Sequence, residues 1–281
     1  MNCFGLVKRV LDRMYENVPG ERDELIVDAL KRLHKRYEDP AKPSEALDFA
    51  DPTIQFAYVF TYLACHACLA SRIIQGSGSL QQLFRNGPPI VTSIGGGPGS
   101  DVVGVLKYLE REEACLFPPV AGLDYFILDN EEAWLDVRDH VWDELSTKVL
   151  QSGRHYTFDV REPGDYPKLR DYCEANLFTM MYFISDIWPI RKNAQAFFND
   201  LLKRARPKSM FLLIDNNKCI YFSYFRELAE ARTLKLSEGP PGIEWCVPCK
   251  KAWVVLKEYK DKFGYYPKWT ANIRWEVWVK K

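Results

Sequence analysis

The order of apolar and polar positions divides the chain near residue 87. Before that point the periodicity is helical: Glu24–Tyr37 is amphipathic, and Ile54–Gln75 is an apolar helix that ends at Gly76 and Gly78. After it, short apolar runs alternate with segments of helix length, an order that favours a parallel sheet with helices on both faces. The predicted strands are Ile90–Ile94, Tyr125–Leu128, Tyr156–Val160, Phe178–Ile184 and Met210–Ile214, and the predicted helices between them are Ser100–Glu112, Glu131–Leu150 and Asn193–Ala205.

Two further apolar stretches near the C-terminus, Trp253–Tyr259 and Ile273–Val279, are separated by a loop over Lys262–Lys268. They predict an antiparallel hairpin at the edge of the sheet. Together the patterns predict an α/β fold with two parts, an N-terminal helical cap over residues 1–86 and a doubly wound, mostly parallel sheet over residues 87–281.

Composition narrows the class of protein. The chain has 281 residues, 47% of them apolar, with 38 basic and 38 acidic side chains. A chain of this size can bury a full core, and its balanced charge excludes a globally polycationic nucleic-acid binder. Its 8 cysteines are too sparse for a disulfide scaffold, so we expect a reduced, intracellular protein of the cytoplasm, with the nucleus left open.

One uncharged segment, Pro52–Ser71, approaches the length of a membrane span. Polar residues interrupt it, and Tyr58, Tyr62 and His66 recur at the spacing of one helix face. The segment therefore predicts a buried helix in a protein that does not enter a membrane.

A glycine-rich stretch follows the first predicted strand. Four glycines come directly after that strand, and Asp101 lies in the first turn of the next helix. Glycine lets the backbone lie close to a ligand, and the free N–H groups of the helix N-terminus favour a nucleotide-like one. A tight turn without a ligand gives the same pattern, so the glycines alone leave both interpretations open. They are Gly95, Gly96, Gly97 and Gly99.

The spacing of the glycines separates the candidate ligands. The dinucleotide fingerprint requires glycine or alanine where this chain has Ser100, which disfavours a nicotinamide oxidoreductase, and no P-loop lysine follows. The pattern Gly95-x-Gly97-x-Gly99 after a first strand resembles the class I S-adenosylmethionine-dependent methyltransferases, and the resemblance extends from about Pro88 to the C-terminus. It implies S-adenosyl-L-methionine as the cofactor and a seven-stranded sheet that the C-terminal antiparallel hairpin closes.

The resemblance also implies roles for residues at successive strand ends. Asp129 would accept hydrogen bonds from both ribose hydroxyls, and Asp159, with Val160 beside it, would contact the adenine and accept from its exocyclic amine. Ser185 and Asp186 stand where the family lines its methyl-transfer pocket, and Ser185 is expected to contact the cofactor there. Each of these acids has an alternative interpretation as the N-cap of the following helix.

The chain departs from the family at Ser93, where members commonly carry an acid that helps to hold the methionine end of the cofactor. We expect loop carbonyls or Asp101 to take over that role. The N-P-P-Y/F letters of the base-amino methylases are also absent at Ser185–Pro189, which argues against a standard amino-group DNA methylase.

Methyl transfer from a sulfonium mainly requires alignment and desolvation. An acceptor that must lose a proton also needs a base, for which the candidates are Asp186, Tyr182, His66 and Tyr58. We expect Asp186 and Tyr58 to be the catalytic residues of the pocket, although a His or Tyr on an apolar helix is also a common core residue.

The acceptor is the least defined part of the function. We prefer a heteroatom of a small or aromatic molecule that lies under the helical cap. RNA is the first alternative, because Lys250–Lys281 is strongly basic and carries interleaved aromatic residues. A non-catalytic scaffold or partner subunit is the second, and the oligomeric state stays open. No metal site is predicted, because the two Cys-x-x-Cys pairs, Cys65/Cys68 and Cys246/Cys249, lie too far apart for a zinc ribbon.

Overall fold

The computed structural model has a central sheet with helices on both faces. It describes residues 1–38, 47–112, 122–168, 171–239, 243–246 and 252–281. Within these residues the strands are β1 (Ile90–Ile94), β2 (Gly122–Asp129), β3 (Leu150–Thr157), β4 (Leu177–Met181), β5 (Met210–Asn216), β6 (Leu234–Glu238), β7 (Ile243–Cys246) and β8 (Thr270–Lys280). The helices are α1 (Cys3–Asn17), α2 (Arg22–Glu38), α3 (Pro52–Tyr58), α4 (Ala64–Gly76), α5 (Gly78–Arg85), α6 (Ser100–Glu112), α7 (Trp134–Asp143), α8 (Phe183–Asp186), α9 (Gln195–Arg204), α10 (Cys219–Glu230) and α11 (Lys257–Phe263).

The strand order is β3-β2-β1-β4-β5-β8-β6, and β7 also pairs with β8. Neighbouring strands from β3 to β5 are parallel, whereas β8 runs antiparallel to β5, β6 and β7. β6 and β7 pair with different stretches of β8, so together they occupy the seventh position of the sheet. This confirms the predicted doubly wound, mostly parallel sheet with an antiparallel end. Because β2 and β4 lie on opposite sides of β1, the switch point for ligand binding lies at the carboxyl ends of β1 and β4.

Alternating side chains of the central strands enter two hydrophobic cores. Phe211 and Leu213 belong to the core under α9 and α10, whereas Leu212 and Ile214 belong to the core under α5 and α6. All four are almost completely buried. A strand that is buried on both faces appears in the sequence as a continuous apolar run, which explains why β5 was predicted within two residues of its observed bounds.

A third core joins the N-terminal helices to the helices that flank the sheet. It contains buried residues of α1 to α4 together with Val103 of α6, Trp134 of α7 and Phe263 of α11. α4 and α6 lie so close together that a side chain at Gly104 would not fit, because an added Cβ would lie 2.6 Å from Ala70 Cβ. The predicted helical cap therefore shares its core with the rest of the chain.

The long apolar helix Pro52–Gly76 consists of α3, a π-helical turn over Val59–Leu63, and α4. It is the one helix among the described residues with the length and composition of a membrane span. In its most apolar window, 83% of the residues are buried within the protein. This burial agrees with the predicted core helix.

The prediction that the last strand forms a hairpin with Trp253–Tyr259 is wrong. The segment Trp253–Tyr259 forms a 3₁₀ turn and the start of α11 rather than a strand. Leu256, Tyr259 and Phe263 are buried at spacings of three and four residues, which is a helical period, whereas Val255 is exposed. The antiparallel partners of β8 are β6 and β7 instead.

The third strand also differs from the prediction. β3 spans Leu150–Thr157 rather than Tyr156–Val160, and α7 ends at Asp143 rather than Leu150. β3 is an edge strand whose side chains are mostly exposed, so it has no continuous apolar signal. The apolar signal comes from Phe158 and Val160, which are buried in the segment that follows the strand.

The helical packing of residues 252–263 predicts different effects for two adjacent substitutions. Leu256→Ala should lower the free energy of unfolding by about 2–5 kcal/mol, because it leaves a cavity in the third core. Val255→Ala should change it by less than about 0.5 kcal/mol, because Val255 is 41% exposed. Urea unfolding of both variants measures the difference, and equal losses would contradict the helical arrangement.

Candidate active site

The glycine loop connects β1 to α6 at the switch point of the sheet. The backbone N–H groups of Gly95 and Gly96 donate to the carbonyl oxygen of Leu128, at 2.8 and 3.2 Å, so the loop folds over the end of β2. Gly97 N donates to Asp129 Oδ2 at 2.7 Å. Gly95 and Gly97 have φ angles of +65° and +48°, which residues with side chains rarely adopt. The turn therefore depends on glycine at both positions.

Gly96 and Gly99 lie behind the loop rather than at its ligand-facing surface. A Cβ at Gly96 would lie 2.7 Å from Ile127 Cγ2, and a Cβ at Gly99 would lie 2.5 Å from Trp142 Cη2. Neither glycine is among the residues that line the two cavities described below. Both glycines allow the loop to approach β2 and α7, and their contact with the cofactor stays a prediction.

Asp101 also lies behind the loop, and its contact with the cofactor stays a prediction. Its buried carboxylate accepts hydrogen bonds from Ser93 Oγ, at 2.8 and 2.7 Å, and from Thr179 Oγ1. Burial raises the pKa of this carboxyl, and the hydroxyl donors oppose the rise. Asp101 of α6 thus places a carboxylate beside Ser93, where the family commonly has an acid. This carboxylate links β1 to β4 and lines neither of the two cavities described below.

A cavity of about 350 Å³ opens in front of the loop. Gly95 and Gly97 line it, as do Asp129, Asp159 and Val160. Asp129 Oδ1 also accepts from Glu131 N at 3.1 Å, so both of its oxygens contact the backbone while the side chain stays open to the cavity. Apolar and aromatic walls complete the cavity: Ile94, Leu128, Trp134, Phe158, Phe183, Ile187 and Ile190.

Asp159 is held in place by Arg161. The guanidinium Nε lies 3.0 and 2.9 Å from the two carboxylate oxygens, and Nη2 lies 2.5 Å from Oδ2. These bonds lower the pKa of the Asp159 carboxyl. Arg161 N donates to the same carboxylate at 2.8 Å, so the pair stabilises the turn after β3.

A second cavity, of about 760 Å³, lies beside the first. Its wall is mainly aromatic, with Tyr37, Tyr62, Tyr182 and Tyr266 among the lining residues. Ser185, which the resemblance assigned to the cofactor, lines this cavity and not the one at the glycine loop.

Three residues line both cavities: Tyr37, Tyr58 and Asp186. The two residues that the sequence nominated as catalytic are therefore at the junction. Tyr182, immediately before α8, has φ +58°, a left-handed conformation that is uncommon for a residue with a side chain and frequent at functional sites. Its carbonyl accepts from Asp186 N at 3.1 Å, so this turn positions Asp186.

Asp186 is an exposed residue, and its side chain lies in the recess where the two cavities meet. Burial and the neighbouring carboxylate of Asp215 raise its pKa to about 7, and Arg36 opposes the rise. Burial likewise raises the pKa of Asp215 to about 6, although Asp215 accepts from Ser185 N at 2.9 Å. A carboxyl with such a pKa can accept a proton near neutral pH.

The helix Pro52–Gly76 supplies one side of the larger cavity through Tyr58, Tyr62 and His66. The π-helical turn lies between the first and last of these residues, and such turns are frequent at functional sites. The His66 ring stacks between Tyr62 and Tyr182, with centroid distances of 5.3 and 4.7 Å. Burial and Lys268 lower the pKa of His66, so its imidazole is neutral at pH 7.

Among the site residues that were not identified from the sequence are Asp215, Asn216, Arg36 and Lys268. Asp215 and Asn216 end β5, so the rule that selected acids at other strand ends would have found them. Arg36 and Lys268 gave no such signal, because α2 and the loop before β8 reach the site only through the tertiary fold.

The described residues contain no group of three His, Cys, Asp or Glu side chains placed to bind a metal ion. Cys65 and Cys68 are free and buried in α4. Their suggested partner Cys249 lies outside the described residues.

Comparison with known proteins gives similarity of fold and little similarity of sequence. No protein-family model and no curated protein matches the chain. Among solved structures, an O-methyltransferase family protein from Burkholderia thailandensis is similar at a TM-score of 0.51 and 9% identity, over 91% of this chain and 71% of that one. Magnesium protoporphyrin IX methyltransferase from Synechocystis PCC 6803, solved with bound SAM, has a TM-score of 0.46 and 12% identity, over 91% of this chain and 97% of that one.

The chain has the class I methyltransferase fold. In this methyltransferase fold the glycine loop, Asp129 and the segment after β3 line one cavity at the switch point. The N-terminal helices line the other cavity together with the segment after β4, the end of β5 and the loop before β8. The confirmed resemblance is therefore to the fold, and the chemistry depends on the residues described above.

The raised pKa of Asp186 predicts how its removal changes stability with pH. Between about pH 4 and 7 the folded protein keeps a proton that the unfolded chain loses, so the free energy of unfolding falls as pH rises through that range. Asp186→Asn should therefore be more stable than the wild type at about pH 8, and the difference should disappear toward about pH 4.

Urea unfolding across this pH range measures the effect, and Asp159→Asn is the control. Arg161 lowers the pKa of Asp159, so its carboxylate contributes stability above about pH 4 that is lost as pH falls. Asp159→Asn should then lower stability at about pH 8. A gain from Asp186→Asn that does not vary with pH would contradict the raised pKa.

Proposed function

We propose that this protein is an S-adenosylmethionine-dependent methyltransferase that methylates a heteroatom of a small-molecule acceptor. The observation that carries the proposal is the junction of two cavities at Tyr58 and Asp186. One cavity is formed by a glycine loop and strand-end acids, and the other has an aromatic wall. A donor in the first and an acceptor in the second would meet at Asp186.

The residues of the smaller cavity fit S-adenosyl-L-methionine. Asp129 has lone pairs left for ribose hydroxyls, and the apolar side chains of Phe158 and Val160 suit an adenine ring. Arg36 lines the same cavity, and its buried Nη1 has no hydrogen-bond partner among the described residues. A guanidinium is suited to a carboxylate, so we assign Arg36 to the methionine carboxylate.

When bound, S-adenosyl-L-methionine supplies a methyl group on a sulfonium, which is a good leaving group. The protein aligns the acceptor and excludes water from the junction. Asp186 accepts the proton that the acceptor heteroatom loses, at a carboxyl whose pKa of about 7 suits this exchange. Burial raises the pKa of Tyr58, so its phenol keeps its proton and can donate a hydrogen bond to the acceptor.

The RNA alternative receives less support. Of the aromatic residues in the basic C-terminal region, Tyr259, Trp275 and Trp278 are buried in the cores, where they cannot stack on bases. Lys262 and Arg274 in the same region pair with Asp23 and Glu276. A concave aromatic cavity of about 760 Å³ is better suited to a small molecule.

Calorimetric titration with S-adenosylmethionine and S-adenosylhomocysteine tests the proposal. Both should bind, and Asp129→Asn should weaken the binding of S-adenosylhomocysteine at least about tenfold, because charge-assisted hydrogen bonds to the ribose are lost. Asp124→Asn is the matched control, since Asp124 is exposed at the other end of β2 and should leave the affinity unchanged.

Failure of the wild type to bind either compound, with binding of NAD instead, would overturn the proposed function. Equal affinities in the wild type and Asp129→Asn would remove the ribose role of Asp129. Because Asp129 also accepts from the loop, thermal unfolding of Asp129→Asn should be measured alongside to show that the variant is folded.

A further inference from the structure

Lys268 is a largely buried lysine in the wall of the larger cavity. Its Nζ lies 3.4 Å from the hydroxyl of Tyr182 and over the rings of Tyr182 and Tyr62, at 4.8 and 5.4 Å from their centroids. No described carboxylate lies within ion-pair distance of it. In contrast, Lys260, which is half-buried, and Lys262, which is exposed, each pair with an aspartate.

An unpaired ammonium in such a place is costly. Burial lowers the pKa of Lys268, which reflects this cost, and a bound anion would favour the charged form. The backbone of Lys268 is fixed at the site, because its N–H donates to the carbonyl of Thr61 at 2.9 Å. The side chain is therefore positioned where a ligand can contact it.

The surface around Lys268 is flat and aromatic. The rings of Tyr62, His66 and Tyr182 form a stack with interplanar angles of 24° and 27°. His66 Nε2 and Thr61 Oγ1 are buried without hydrogen-bond partners among the described residues, and both residues line the cavity. A planar ligand with polar substituents suits this wall, because its ring can pack against the aromatic side chains and its polar groups can bond to the unpartnered atoms of His66 and Thr61.

We propose that the methyl acceptor is a planar aromatic molecule with a hydroxyl group that reaches Asp186 and a carboxylate that Lys268 binds. This inference rests on the proposed function and narrows its substrate class. Lys268 acts in binding, and Asp186 acts on the hydroxyl proton. The two residues line the same cavity.

The test compares two probes of the same shape in the presence of saturating S-adenosylhomocysteine. They are 3,4-dihydroxybenzoate, which carries the carboxylate, and 3,4-dihydroxybenzamide, which is neutral. Calorimetry with the full chain should give at least about tenfold tighter binding of the benzoate, because a hydrogen bond between two charged groups is lost in the amide. Lys268→Met should abolish this preference and leave the benzamide affinity within about twofold.

Lys235→Met is the matched control, since Lys235 is exposed on β6, away from both cavities. It should bind both probes as the wild type does. Lys268→Met should unfold at no lower urea concentration than the wild type, because an unpaired buried cation is replaced by an apolar side chain of similar length.

Several results would overturn the inference: no binding of either probe, equal affinities in the wild type, or a preference that persists in Lys268→Met. Weaker binding of S-adenosylhomocysteine to Lys268→Met would also overturn it, because the lysine would then serve the cofactor. These outcomes are distinct from failure of the proposed function, in which S-adenosylhomocysteine does not bind to the wild type.

Discussion

The hydrogen bond from Gly97 N to Asp129 Oδ2 is the contact on which the candidate site depends. It joins the turn after β1 to the end of β2, and it holds Asp129 at the mouth of the smaller cavity. The turn can approach β2 because Gly96 has no side chain; a Cβ at this position would collide with Ile127. The site therefore depends on a turn whose backbone conformation requires glycine and on the Asp129 carboxylate, which holds that turn in position.

Burial of charge gives the site its chemical character. Burial raises the pKa values of Asp186 and Asp215, and the carboxylate of Asp215 raises that of Asp186 further, so a carboxyl that is ionised in water titrates here near neutrality. Arg36 and Lys268 line different cavities, and neither has a carboxylate partner among the described residues. The structure thus keeps unpaired charge on both sides of the junction, at a cost to stability that bound anionic groups would offset.

The sequence predicted the sheet well where the strands are buried on both faces, and poorly where they are not. β1 and α6 were predicted with their observed bounds, because a continuous apolar run and an amphipathic period both leave clear signals. The polar edge strand β3 was misplaced, and the helix at Lys257–Phe263 was mistaken for a strand because its apolar residues are dense. At the site, the acids that follow strands were found by their position. Arg36 and Lys268 were missed, because the approach of α2 and of the loop before β8 depends on packing between distant segments.

The two halves of the site have different structural origins, and this limits how each can vary. The smaller cavity is formed largely by the loops at the ends of β1, β2 and β3, whose positions the ladder of the sheet determines. The larger cavity takes Tyr58, Tyr62 and His66 from a helix whose buried residues belong to the third core. Substitutions on the cavity side of that helix can change the shape of the larger cavity without disturbing β1 or β2. The shape of the larger cavity can therefore vary through the helical region, whereas the cavity at the glycine loop is constrained by the sheet.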